Sequence, residues 1–137
     1  MAEAVKEWNY EQYQQDRDAE NLNSMVKRTH EANKCWWIDI DTGEPLDAHK
    51  LVPEKLMLIV SEVAEAMEGH RKNLRDDKLP HRDMLEVELA DAIIRIFDLA
   101  GALGLDLGGA FVEKMAYNSH REDHKIENRK AANGKRY

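Results

Sequence analysis

The chain has one cysteine, Cys35, and only three prolines in 137 residues. A single thiol excludes an intramolecular disulfide, and scarce proline leaves long stretches free to be helical. No run of about 18 apolar residues is present, which excludes a helical membrane span. No apolar N-terminal run of signal-peptide type occurs either, so the expected compartment is the cytoplasm. Basic charge is in deficit, with 20 Lys and Arg against 27 Asp and Glu and a net charge of −7. That balance speaks against a nucleic-acid partner. Familiar catalytic signatures are missing as well. Gly108-Gly109 lacks the rest of a phosphate loop, and there is no G-x-S-x-G, H-E-x-x-H or C-x-x-C. The six histidines are scattered without metal-ligand spacing, with His120 and His124 the best placed to lie near a phosphate. Internal repeats, sustained heptads and low-complexity tracts are absent.

What remains is helical patterning, enough for one domain over residues 1–137. Residues 1–12 are polar with scattered aromatics and are expected to pack loosely; residues 130–137 read as a tail. A first helix is expected from Tyr13 to Asn33, on the stripe Leu22, Met25, Val26 and Thr29. Cys35-Trp36-Trp37-Ile38 follows as an apolar cluster, with Cys35 read as a small buried hydrophobe. Gly43, Pro45 and several aspartates mark 39–50 as a loop. A second helix is expected from Pro53, as its first residue, to Asn73, with Leu56, Ile59, Val60, Val63 and Met67 facing the core. A third runs from Arg82 to Leu103 with a wide apolar face of Leu85, Leu89, Ile93, Ile96, Ala100 and Leu103. One polar stripe crosses it: Glu88, Asp91, Arg95 and Asp98. A fourth is expected from Ala110 to Arg129, aligning Phe111, Lys114, Asn118, Arg121 and Lys125. The fold class is therefore all-α, a four-helix bundle.

The chemistry lies in two acid pairs, Glu62 with Glu65 and Glu88 with Asp91. Each has i,i+3 spacing, so both carboxylates of a pair share one side of their helix. Both sit in strongly apolar sequence. Burying four negative charges together is costly without a positive partner, and oxygen-only donors suit Mg²⁺, with Mn²⁺ as a substitute. Arg95 offers an alternative, a buried ion-pair network. Two such pairs on adjacent antiparallel helices can face one another across a bundle, as carboxylate metal sites do.

Two further groups fit a phosphate-bearing ligand. Lys114, Asn118 and Arg121 align at steps of 4 and 3; cations beside a metal site suit a polyphosphate. The last 17 residues, from Arg121, hold six Lys or Arg against three Asp or Glu. Trp36 and Trp37 cannot share a helical face. One can pack inward while the other lines a pocket and stacks on a nucleobase.

With these residues in view, SEVAEAMEG followed by EVELADAIIRI resembles the MazG-like, all-alpha nucleoside triphosphate pyrophosphohydrolases. Their motif is ExxE, a spacer, then ExxD; here 22 residues separate Glu65 from Glu88. EKMAYNSHRE is similar to a later helix of that family, with Lys114, Asn118 and Arg121 at matching positions, and the resemblance covers about residues 20–137. One position departs: Ser61 stands where many members carry a second glutamate. The resemblance implies Mg²⁺-dependent hydrolysis of a (d)NTP to (d)NMP and pyrophosphate. It implies that Glu62, Glu65, Glu88 and Asp91 are metal ligands and catalytic, and that Lys114, Asn118, Arg121 and one of Trp36 and Trp37 bind substrate. It also implies a homodimer or homotetramer. A phosphoribosyl-ATP pyrophosphohydrolase-like enzyme and a non-catalytic metal-binding bundle are the alternatives.

Overall fold

The computed structural model describes residues 10–137. Most of the expected loose segment 1–12, Trp8 included, lies outside them; from Tyr10 the chain is already helix. All extended regular structure among the described residues is helical. The elements are α1 (Tyr10–Ala32), α2 (Ala48–Lys72), α3 (Met84–Ala102), α4 (Leu107–Ser119) and α5 (Ile126–Lys130), with 3₁₀ turns at Lys34–Trp37 and Glu122–His124. The chain's contacts gather into two units. One is Ser24–Leu105; the other joins the described residues up to Asn23 to Asp106–Tyr137.

In the Ser24–Leu105 unit, α2 begins five residues before the proline expected to open it. Asp47 caps it, its carboxylate accepting from the backbone N–H of His49 and Lys50. Pro53 therefore lies inside the helix. An aspartate that satisfies orphan N–H groups is a stronger start signal than a proline whose only merit is a missing one. The other end falls as expected: Asn73 takes the left-handed conformation (φ 51°) and its N–H reaches the carbonyls of Gly69 and His70. α3 opens at Asp83, whose N–H donates to Glu86 Oε1 at 3.3 Å.

α2 and α3 pack against each other as an antiparallel hairpin. The tight join sets the register: Leu74 N–H donates to Gly69 O and Met84 N–H to Leu74 O. A Cβ on Gly69 would come within 2.7 Å of Met84 Cγ. One turn back along α2 then meets one turn forward along α3, from Gly69 and Met84 to Glu65 and Glu88 and on to Glu62 and Asp91. The residues buried by this packing are mostly small: Ala66 and Gly69 on α2, Ala92 and Ala100 on α3.

Of the wide apolar faces expected to be core, Ala100 is buried and Ile59 and Leu103 are half-buried, but most of the large residues are not. Leu56, Val60, Val63 and Met67 on α2, and Leu85, Leu89, Ile93 and Ile96 on α3, all stand exposed. Periodicity identifies an apolar face; it does not say which of two faces meets the chain's own neighbour. Cys35, expected to be buried, is exposed too.

In the other unit α4 starts at Leu107, capped by Asp106, which accepts from Gly109 N–H. Asn23 ties α1 to this cap, donating to Asp106 Oδ1 (2.7 Å) and accepting from Gly108 N–H (2.8 Å). Contrary to expectation, α4 does not run on to Arg129, which falls in the separate short helix α5. It ends at Ser119, and Arg121 and Lys125 are extended. Ser119 Oγ donates to the Ala116 carbonyl, and the His120 ring lies 2.9 Å from the same oxygen. Side chains that compete for the last carbonyls stop a helix.

Candidate functional site

The hairpin register brings carboxylate oxygens of Glu62, Glu65 and Glu88 within 4.8 Å of one another. Glu62 is buried, Glu88 partly buried and Glu65 exposed. Asp91, the fourth acid of the motif, stands outside this trio. Crowding shows in the proton affinities. Burial, then the charge of Glu65, then Glu62, push the Glu88 carboxyl up to about 7. Burial and the neighbouring Glu62 raise Asp91 as well, against the opposing pull of Arg95. Arg95 Nε donates to Glu62 Oε1, the one ion pair within the acidic group among the described residues. Three oxygen donors from facing turns, in net negative surroundings, have the chemistry of a hard divalent cation site.

A cavity of about 570 Å³ adjoins the trio. α2 and α3 supply Glu62, Asp91, Arg95 and Asp98 to its wall, the segment before and within the first 3₁₀ turn supplies Asn33 and Trp36, and α2 adds Glu54 and Lys55 near its start. Glu65 and Glu88 are one turn further along the hairpin and do not line it.

The two tryptophans separate cleanly. Trp36 is 67% exposed and lines the cavity. Trp37 is buried at 7%, and its indole N–H donates to both oxygens of Asp98, at 2.9 and 3.0 Å. Asp98, itself buried, also contacts His30 Nδ1 at 2.8 Å. The His30 ring meets Trp37 edge-on, and Lys55 Nζ sits 4.5 Å over the Trp37 ring. Gly101 makes room for His30: a Cβ there would collide with His30 Cβ. This clasp holds the end of α1 and the 3₁₀ turn to α3, and so places Trp36. The sequence did carry a sign of it, since Asp98 continues the stripe Glu88, Asp91, Arg95. Nothing in the local pattern pairs Asp98 with Trp37, 61 residues away.

Lys114, Asn118 and Arg121 belong to the other unit, Arg121 beyond the end of α4. Lys114 Nζ lies 4.8 Å over the Tyr117 ring. Arg121 makes a two-point bond to Asp123 (2.9 and 2.7 Å), which Lys135 also contacts at 2.7 Å. Those two cations hold the Asp123 carboxyl far below the usual carboxylate range. Asn118 Oδ1 is buried with no hydrogen-bond partner among the described residues.

No family model, curated protein or solved structure matches the chain. Among the described residues no helix is long and apolar enough to cross a membrane.

Proposed function

We propose that the chain is a Mg²⁺-dependent nucleoside triphosphate pyrophosphohydrolase of the MazG-like type, built as a four-helix bundle and working as a homo-oligomer. The observation that carries this reading is the meeting of Glu62, Glu65 and Glu88 within 4.8 Å beside a cavity large enough for a nucleotide. The donor set fits a hard divalent ion: all oxygen, on rigid helices, with the Glu88 carboxyl driven to a high proton affinity by burial and then by the neighbouring acids. Glu62, Glu65 and Glu88 would hold it, with Asp91 supplying the remaining carboxylate from the cavity side.

Bound there, Mg²⁺ supplies Lewis acidity, neutralising phosphate charge and lowering the pKa of the attacking water. The residues do the rest. Glu62 orients the water and accepts its proton as oxygen attacks the α-phosphorus and the bond to the β-phosphate bridging oxygen breaks, releasing pyrophosphate. No covalent intermediate is required. Trp36, rather than Trp37, walls or stacks on the base. Lys114, Asn118 and Arg121 remain candidate phosphate ligands on the strength of the resemblance alone. The exposed apolar residues of α2 and α3 support an oligomer, because patches of that kind mark association surfaces.

The deciding experiment is pyrophosphate release from a panel of NTPs and dNTPs, with Mg²⁺ or Mn²⁺ against EDTA, for wild type and Glu62→Ala. Metal-dependent release that the mutant loses, with helicity intact, is the expected result. Release that persists in Glu62→Ala would overturn the site assignment, and silence across the panel would overturn the (d)NTP substrate.

A further inference from the structure

We infer that Lys55 and Arg95 form the anion-binding side of the cavity and take phosphate oxygens of the substrate, Arg95 leaving Glu62 to do so. The inference deepens the proposed hydrolase reading and rests on it for the identity of the ligand, a polyphosphate. Neither residue belongs to the acid motif or to the Lys114, Asn118, Arg121 group.

Both cations line the same cavity as Glu62 and Asp91, within one unit of the chain. Lys55 has no ion pair among the described residues. Its ammonium is seated over the Trp37 ring, a contact that orients a cation without neutralising it. Trp37 is in turn fixed by Asp98, so the perch is rigid. Arg95 hydrogen-bonds only through Nε and otherwise feels the charge of Asp91; its two terminal nitrogens have no hydrogen-bond partner among the described residues. A guanidinium with a free fork inside a cavity is suited to two-point binding of a phosphate. Its present partner, Glu62, is the acid that a divalent cation would claim. Once a cation replaces Arg95 at Glu62, the guanidinium loses its reason to stay and a triphosphate offers it another. Arg121 is less available for this task, since Asp123 already holds its Nε and one terminal nitrogen.

The exchange makes metal and phosphate binding mutually reinforcing. Arg95 on Glu62 offsets repulsion in the acid group while the cation is absent, and becomes a ligand when it is present.

The test uses the full chain with Lys55→Gln and Arg95→Lys, the latter keeping the charge beside Glu62 while removing the fork. Two quantities are read: KM and kcat for pyrophosphate release, and the affinity for inorganic pyrophosphate with Mg²⁺ by calorimetry. Each variant is expected to weaken pyrophosphate binding and raise KM by about tenfold or more, the size of one lost charge-assisted hydrogen bond, with a smaller change in kcat. Melting temperatures near wild type confirm that folding is not the cause. If wild type turns over nucleotides and both variants keep its KM and pyrophosphate affinity, the inference is overturned while the hydrolase reading stands. If wild type hydrolyses nothing yet binds pyrophosphate through these two residues, the anion site stands and the hydrolase reading falls. If wild type neither hydrolyses nor binds, both fall.

Discussion

Trp37 donates its single indole N–H to both oxygens of Asp98, 61 positions later in the chain, and this bond sorts two adjacent tryptophans into different roles. A buried carboxylate needs donors, and Asp98 has two side chains to supply them, Trp37 and His30. Trp37 is thereby committed to holding the fold, and its neighbour is left facing the cavity.

Trp37→Phe keeps most of the apolar bulk and removes the donor. It is expected to lower stability by about 1–3 kcal/mol, the cost of leaving a buried acceptor short of a partner. Thermal or urea unfolding against wild type measures this. An unchanged midpoint would mean that the bond to Asp98 contributes nothing.

Trp36→Ala should behave in the opposite way. Its side chain is largely exposed, so the unfolding midpoint is expected to stay near wild type. Relative kcat/KM across the four bases should shift by about tenfold, the scale of one base–aromatic stacking contact. Equal loss on every nucleotide would remove Trp36 from base recognition.

The acid group makes the metal-free protein sensitive to pH. The Glu88 carboxyl, pushed up to about 7 by burial and its neighbours, binds its proton more tightly folded than unfolded. The stability this contributes is full below the ordinary carboxylate value and is lost as pH rises through about 7. Asp91 shifts in the same direction. In EDTA the melting temperature should therefore be higher near about pH 5 than near about pH 8. Mg²⁺ should recover the loss at the higher pH, and Glu88→Gln should flatten the profile. A Mg²⁺ effect that is the same in Glu88→Gln, Glu62→Ala and wild type would place the ion elsewhere.

The acid pairs and the helices that carry them were legible in the sequence because i,i+3 spacing and apolar periodicity are local properties. So were the end of α2 at Asn73 and the loop around Gly43. The start of α2 was misplaced because Pro53 is the louder sign and Asp47 the stronger cap. The end of α4 was missed because Ser119 and the His120 ring act on the Ala116 carbonyl only in one side-chain arrangement, which composition does not reveal.

By itself, then, the sequence determined that the chain is helical and that four carboxylates lie two by two along two of its helices. It determined no more than that, because helix periodicity is a property of neighbours within about four residues. Which three of the acids converge, that Arg95 pairs with Glu62, that Trp37 and not Trp36 is buried, and that the widest apolar faces stay largely exposed were all decided by tertiary structure. Each depends on the antiparallel register of α2 and α3 or on the clasp of Trp37 and His30 on Asp98. The register is set by Gly69, Leu74 and Met84 across the join and the clasp by groups more than 60 residues apart, so both reach beyond one helical turn and follow from packing, not from spacing.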